Sequence, residues 1–160
     1  MRVYSIPIKF TPGFREIRHC EGILGAIREA KAFQRGTRGA EPIDELRPLL
    51  NQITVLDAKR GLSAFGSTNL DQQLRHDGIE TVAVCGLLTN VCVETTARAA
   101  YDLGYRVITL TQVTACKSAE EQEASERFIF PLLGQTMSSV EFLEQFEQAQ
   151  LPAQQDRKPR

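Results

Sequence analysis

Residues 81–100 (Thr-Val-Ala-Val-Cys-Gly-Leu-Leu-Thr-Asn-Val-Cys-Val-Glu-Thr-Thr-Ala-Arg-Ala-Ala) limit the possible folds more than any other stretch of the chain. Thr81 to Cys85 is almost wholly apolar, which predicts a central strand covered on both faces rather than a half-exposed one with polar alternation. A short polar turn follows. From about Val91 the pattern is helical, ending near Leu103 with Gly104 placed to act as a left-handed cap. This strand–turn–helix unit sets Cys92 among the first residues of a helix. Unpaired backbone N–H groups and a partial positive charge there favour thiolate over thiol. A cysteine so placed can act as a nucleophile near neutral pH.

The rest of the chain repeats the alternation. Arg2 to Ile8 reads as a strand closed by the Thr11-Pro-Gly13 turn, and Glu21 to Phe33 as a helix with apolar residues at Ile23, Leu24, Ile27 and Ala30. Ile53 to Leu56 is a further strand. Thr68 with Asp71, and Ser118 with Glu121, carry the spacing of helix-start capping boxes. Strands are expected at Arg106–Leu110 and from Gln135 to Ser138, with a helix from about Val140 to Phe146. Together these predict one α/β domain over residues 1–147, a three-layer α/β/α sandwich with a mainly parallel, doubly wound sheet. The polar tail 148–160, with two prolines, is expected to be disordered.

Composition narrows the function. At 160 residues, 42% hydrophobic and 24% charged, the chain is long enough for one buried core. A net charge of -1 gives no electrostatic reason to expect a nucleic-acid or membrane partner. No apolar run approaches the roughly 20 residues that span a bilayer. Four scattered cysteines (Cys20, Cys85, Cys92, Cys116) and two histidines offer no metal-site spacing, and free thiols in the reducing cytoplasm are expected. Cys85 is expected in the core.

Two motifs, Lys59-Arg-Gly-Leu-Ser-Ala-Phe65 and Gly86-Leu-Leu-Thr-Asn-Val-Cys-Val93, follow successive strands. With Thr68, Leu70, Thr96, Ala97, Ala100 and Gly104, they resemble the isochorismatase-like cysteine hydrolases over nearly the whole chain up to about Phe146. The resemblance implies a hydrolase that cleaves an amide- or ureido-type C–N bond of a small molecule through a thioester, with no redox cofactor. Cys92 would be the nucleophile and Lys59 its charged partner. The backbone N–H groups of Leu88 and Cys92 would form the oxyanion hole, with a cis peptide at Leu87–Leu88. Phe65 is a candidate pocket wall, with core packing equally open. Metal-binding relatives carry an Asp-x-His…His arrangement that this sequence lacks, so no metal is expected. The family also implies a homo-oligomer.

The family's triad aspartate closes its first strand, which lies between the second and fourth. Val3 to Phe10 resembles the second strand, so the domain is expected to be truncated at its N-terminus relative to the family. Buried strand edges left unpaired would cost about 1–3 kcal/mol per group, against a total stability of about 5–15 kcal/mol. Asp57, two residues before Lys59, is a remote stand-in for the acid. Two other functions stay open. One is an inactive binding or assembly module. The other is a phosphatase, because Cys92 and Arg98 have C-x5-R spacing, although the helical character of that segment and the position of Glu94 oppose an anion-wrapping loop.

Overall fold

The computed structural model describes residues 1–19 and 21–150. Parallel strands and flanking helices form the expected three-layer α/β/α architecture, with the sheet in two pieces. In the smaller piece β1 (Tyr4–Ser5) pairs with β2 (Thr54–Val55). In the larger, β3 (Thr81–Leu87), β4 (Arg106–Ala115) and β5 (Gly134–Met137) lie in that order, every pairing parallel. The helices are α1 (Gly22–Glu29), α2 (Leu70–His76), α3 (Glu94–Asp102), α4 (Ala119–Ala124), α5 (Phe130–Leu133) and α6 (Ser139–Gln150).

α3 shows how sequence becomes packing. Thr96, Ala97 and Ala100 recur at helical spacing and are buried, while Glu94 and Arg98 form an i,i+4 ion pair on the outer face. Small residues on the inner face let the helix sit close to the sheet. Ala97 and Ala100, both 0% exposed, join Ala64, Leu70, Leu74, Tyr105, Val107 and Leu133 in one core. Tyr4, Ile6 and Leu56 from the β1–β2 region pack on that core, as do Val82 and Val84 of β3. A second cluster, Phe10, Phe14 and Ile17, is covered by Leu24 and Ile27 of α1.

Capping chemistry fixes two helix starts as expected or better. Ser118 Oγ accepts the Glu121 N–H at 3.2 Å. Ser138 and Glu141 exchange a reciprocal pair, 3.1 and 2.8 Å, and the Ser138 N–H draws the Glu141 carboxyl below its usual range. Thr68 departs from the expected box. Its hydroxyl donates to the Ala64 carbonyl at 2.6 Å and accepts the Leu70 N–H at 3.2 Å, tying the loop to itself, and α2 starts at Leu70.

Three expectations need correction. Among the described residues β3 is an edge strand paired only with β4, and Ala83, Cys85 and Leu87 are exposed on one of its faces, so it is not covered on both. Cys85 is accordingly exposed rather than core. α6 continues through Gln150, past the expected start of the tail at 148, because Glu144 to Gln150 holds good helix formers and no breaker before Pro152. The expected disorder at 151–160 lies outside the described residues, as does Cys20. No helix among the described residues is long and apolar enough to cross a membrane.

Candidate active site

The two motifs sit at the same ends of the two sheet pieces. Tyr4, at the start of β1, donates its hydroxyl to Asp77 at 2.5 Å, and Arg2 pairs with Asp77 at 3.1 Å, just before β3 begins. At the other end, Ile8 and Lys59 form a parallel bridge beyond β1 and β2, and the Lys9 N–H reaches the Lys59 carbonyl at 3.3 Å. The start of β1 is thus fastened near the entry to β3, and Tyr4 and Ile6 share a core with Val82 and Val84. Among the described residues β1 pairs with β2 and β3 with β4, and the two sheet pieces do not pair with each other.

Lys59 is buried, 6% exposed, and its ammonium has no carboxylate or hydrogen-bond partner among the described residues. An anion brought beside that ammonium would be attracted to it. The loop after Lys59 is fastened to the cysteine helix. The Ala64 N–H donates to Thr96 Oγ1 at 3.0 Å in a fully buried bond, one helical turn after Cys92.

The cysteine lies in a wide turn. Thr89–Val93 adopts a π-helical turn that leads into α3, and the Leu88 carbonyl accepts N–H groups from Val91 and Val93, both at 3.2 Å. The Leu87–Leu88 peptide is cis. Cys92 is half-buried. Its neighbour Thr89 is 0% exposed and donates its hydroxyl to Gln122 Oε1 at 2.6 Å, while the Asn90 N–H meets Cys116 Sγ at 3.4 Å.

A cavity of about 530 Å³ opens beside this turn, walled by Thr111, Thr114, Cys116, Lys117, Gln122 and Glu126 among others. Cys92, Lys59 and Phe65 are not in its wall. Phe65 stacks on Tyr105 with ring centroids 5.9 Å apart and packs against the main core. Asp57 is engaged elsewhere: Arg35 holds it at 2.8 Å and Lys9 at 3.7 Å. Arg98 is paired to Glu94 on a regular helix, so no phosphate-wrapping loop exists at Cys92. Among the described residues no three His, Cys, Asp or Glu side chains cluster as a metal site.

Sequence reasoning missed Gln122 and the Thr96–Ala64 bond. Gln122 follows a capping glutamate and carries no motif of its own. Thr96 stands within the motif region, but its partner is 32 residues away.

The Isochorismatase domain model matches residues 1–141, and the chain belongs to that family. An uncharacterized isochorismatase family protein, YwoC of Bacillus subtilis (strain 168), is 51% identical over 87 residues, 54% of this chain and 46% of that protein. Nicotinamidase 3 of Arabidopsis thaliana is 34% identical over 121 residues, 76% of this chain and 61% of that protein. The crystal structure of a cysteine hydrolase from Pseudomonas syringae pv. phaseolicola 1448A superposes with a TM-score of 0.79 at 27% identity, covering 92% of this chain and 73% of that one. The chain thus spans about half the length of the curated relatives it matches.

Proposed function

We propose that the protein is a cysteine hydrolase of small-molecule C–N bonds. The observation that supports this reading is Lys59, buried and without a partner among the described residues, on a loop that is bonded through Ala64 to Thr96 of α3, the helix that follows the Cys92 turn. Two relatives are named a nicotinamidase and a cysteine hydrolase, which supports amide-type chemistry at a cysteine.

In this reading Lys59 favours the Cys92 thiolate, whose sulfur attacks a carbonyl carbon. The backbone N–H groups of Leu88 and Cys92 stabilise the tetrahedral oxyanion. The C–N bond then breaks, the amine leaves with a proton, and water cleaves the thioester to a carboxylate and the free thiol. In the family that the chain belongs to, the resemblance gives the proton transfer to an aspartate closing a strand; among the described residues the stand-in for it, Asp57, is held by Arg35 and Lys9 instead. Phe65 is core packing in this reading, its ring stacked on Tyr105. A homo-oligomer in the cytoplasm completes the reading, and sedimentation of the purified chain tests the assembly.

A second reading, an assembly module without turnover, draws support from the exposed face of β3, an edge strand among the described residues. Site-resolved labelling by iodoacetamide separates the two. Cys92 should label at pH 7 well ahead of a free thiol, and Lys59→Met should slow it about tenfold, the effect of about 1.4 kcal/mol of lost thiolate stabilisation. Labelling at free-thiol speed in the unaltered chain, indifferent to Lys59→Met, would falsify the hydrolase.

A further inference from the structure

Gln122 uses its whole carboxamide at the turn that bears Cys92. Its oxygen accepts the Thr89 hydroxyl at 2.6 Å, and its nitrogen donates to Thr114 Oγ1 at 3.2 Å and Glu126 Oε1 at 2.6 Å. Thr114 in turn donates to the Thr111 carbonyl at 3.2 Å on the last part of β4. Thr89 and Thr114 are buried, 0% and 9% exposed, so the chain of bonds is largely shielded from competing water. Thr89 directly follows Leu88 and stands three residues before Cys92.

We infer that Gln122 is a positioning residue for the reactive turn: through Thr89 it fixes the backbone around Cys92 against α4 and the end of β4. The inference rests on the proposed role of Cys92 and adds a residue to it that no motif marks. A single π-helical turn is a rare departure from α-helical geometry, and here it is tied to its surroundings by outside anchors. Thr89 supplies one anchor through Gln122, and Asn90 a second through Cys116. A threonine at position 89 is needed for its hydroxyl; a glutamine at 122 is needed because only a carboxamide can accept from Thr89 while donating to Thr114 and Glu126. A glutamate there would present a carboxylate to Glu126.

The test is the pH profile of iodoacetamide labelling at Cys92, read by mass spectrometry on the full chain, with exposed Cys85 as internal reference. Gln122→Met and Thr89→Val each remove the Thr89–Gln122 bond at nearly constant volume. Each should slow Cys92 labelling about tenfold at neutral pH, the scale of one buried hydrogen bond lost. Cys85 should keep its rate. Thr89→Ser, which restores the hydroxyl without the methyl, should recover most of the rate. The double variant should be no slower than Gln122→Met alone, because Gln122→Met already removes the one bond that Thr89→Val breaks.

Unchanged Cys92 labelling in Gln122→Met, or effects that multiply in the double variant, overturns the positioning role while leaving the nucleophile intact. A Cys92 that already labels no faster than a free thiol in the unaltered chain overturns both.

Discussion

Thr96→Val tests whether one hydrogen bond fastens the lysine-bearing loop to the cysteine-bearing helix. Thr96 Oγ1 accepts the Ala64 N–H at 3.0 Å, and the two residues are 8% and 6% exposed. Valine keeps the side-chain shape and removes the acceptor, leaving a backbone donor buried without a partner. That costs about 1–3 kcal/mol. The methyl replacing the hydroxyl returns up to about 0.8 kcal/mol of apolar burial, so the net loss should reach about 2 kcal/mol, with about 1 kcal/mol in mid-range. For a chain of this size about 1 kcal/mol lowers the melting temperature by about 2–4 °C. Urea unfolding, with the slope unchanged and the midpoint lowered, measures it directly. Thr81→Val is the control. Its hydroxyl accepts from Arg106 at an exposed position, and the same chemical change there should stay within about 0.5 kcal/mol. A Thr96→Val chain as stable as the control would refute the anchoring argument.

Two further outcomes follow from the packing. Burial first, then its hydrogen bond to Asp71, pushes the Tyr105 phenol up to about 12. Because the folded value lies above the unfolded one, its stabilisation is full below about pH 10 and is lost as pH rises towards 12. Absorbance titration of the phenolates should show Tyr105 titrating late and moving down in Asp71→Asn, while Tyr4, raised by its own hydrogen bond to Asp77, does not respond to that change; a late Tyr105 unmoved by Asp71→Asn contradicts the assignment. Gly134 opens β5 opposite Val107, and a Cβ there would overlap the Val107 carbonyl oxygen. Gly134→Ala should therefore cost about 1–3 kcal/mol or more by forcing β4 and β5 apart, whereas Gly39→Ala, with open space around it, should leave the urea midpoint nearly unchanged.

Much of the fold is local enough to read from residue order. The apolar run at Thr81–Cys85, the small-residue face of α3 and the capping pairs at Ser118 and Ser138 each specify structure within a few residues of themselves. The same holds for Lys59 and Cys92, whose motifs mark the ends of strands. Where the reading went astray, the deciding partner was distant. Cys85 looked like core because its neighbours in sequence are apolar, yet the side chain is exposed, on an edge strand whose second neighbour is absent from the described residues. Phe65 could not be assigned until Tyr105 was found beneath it.

Residue order alone determined the alternation of strand and helix, the parallel architecture and the position of a thiol at a strand-to-helix turn, because periodicity, turn chemistry and helix ends are short-range properties. Only the tertiary structure decided that the sheet is in two pieces, that Lys59 is buried with no counter-charge among the described residues, and that Gln122 holds Thr89. Those facts depend on which surfaces meet after the chain has closed loops of tens of residues. Pairing, burial and hydrogen bonding across such distances are properties of packing, which no local pattern encodes.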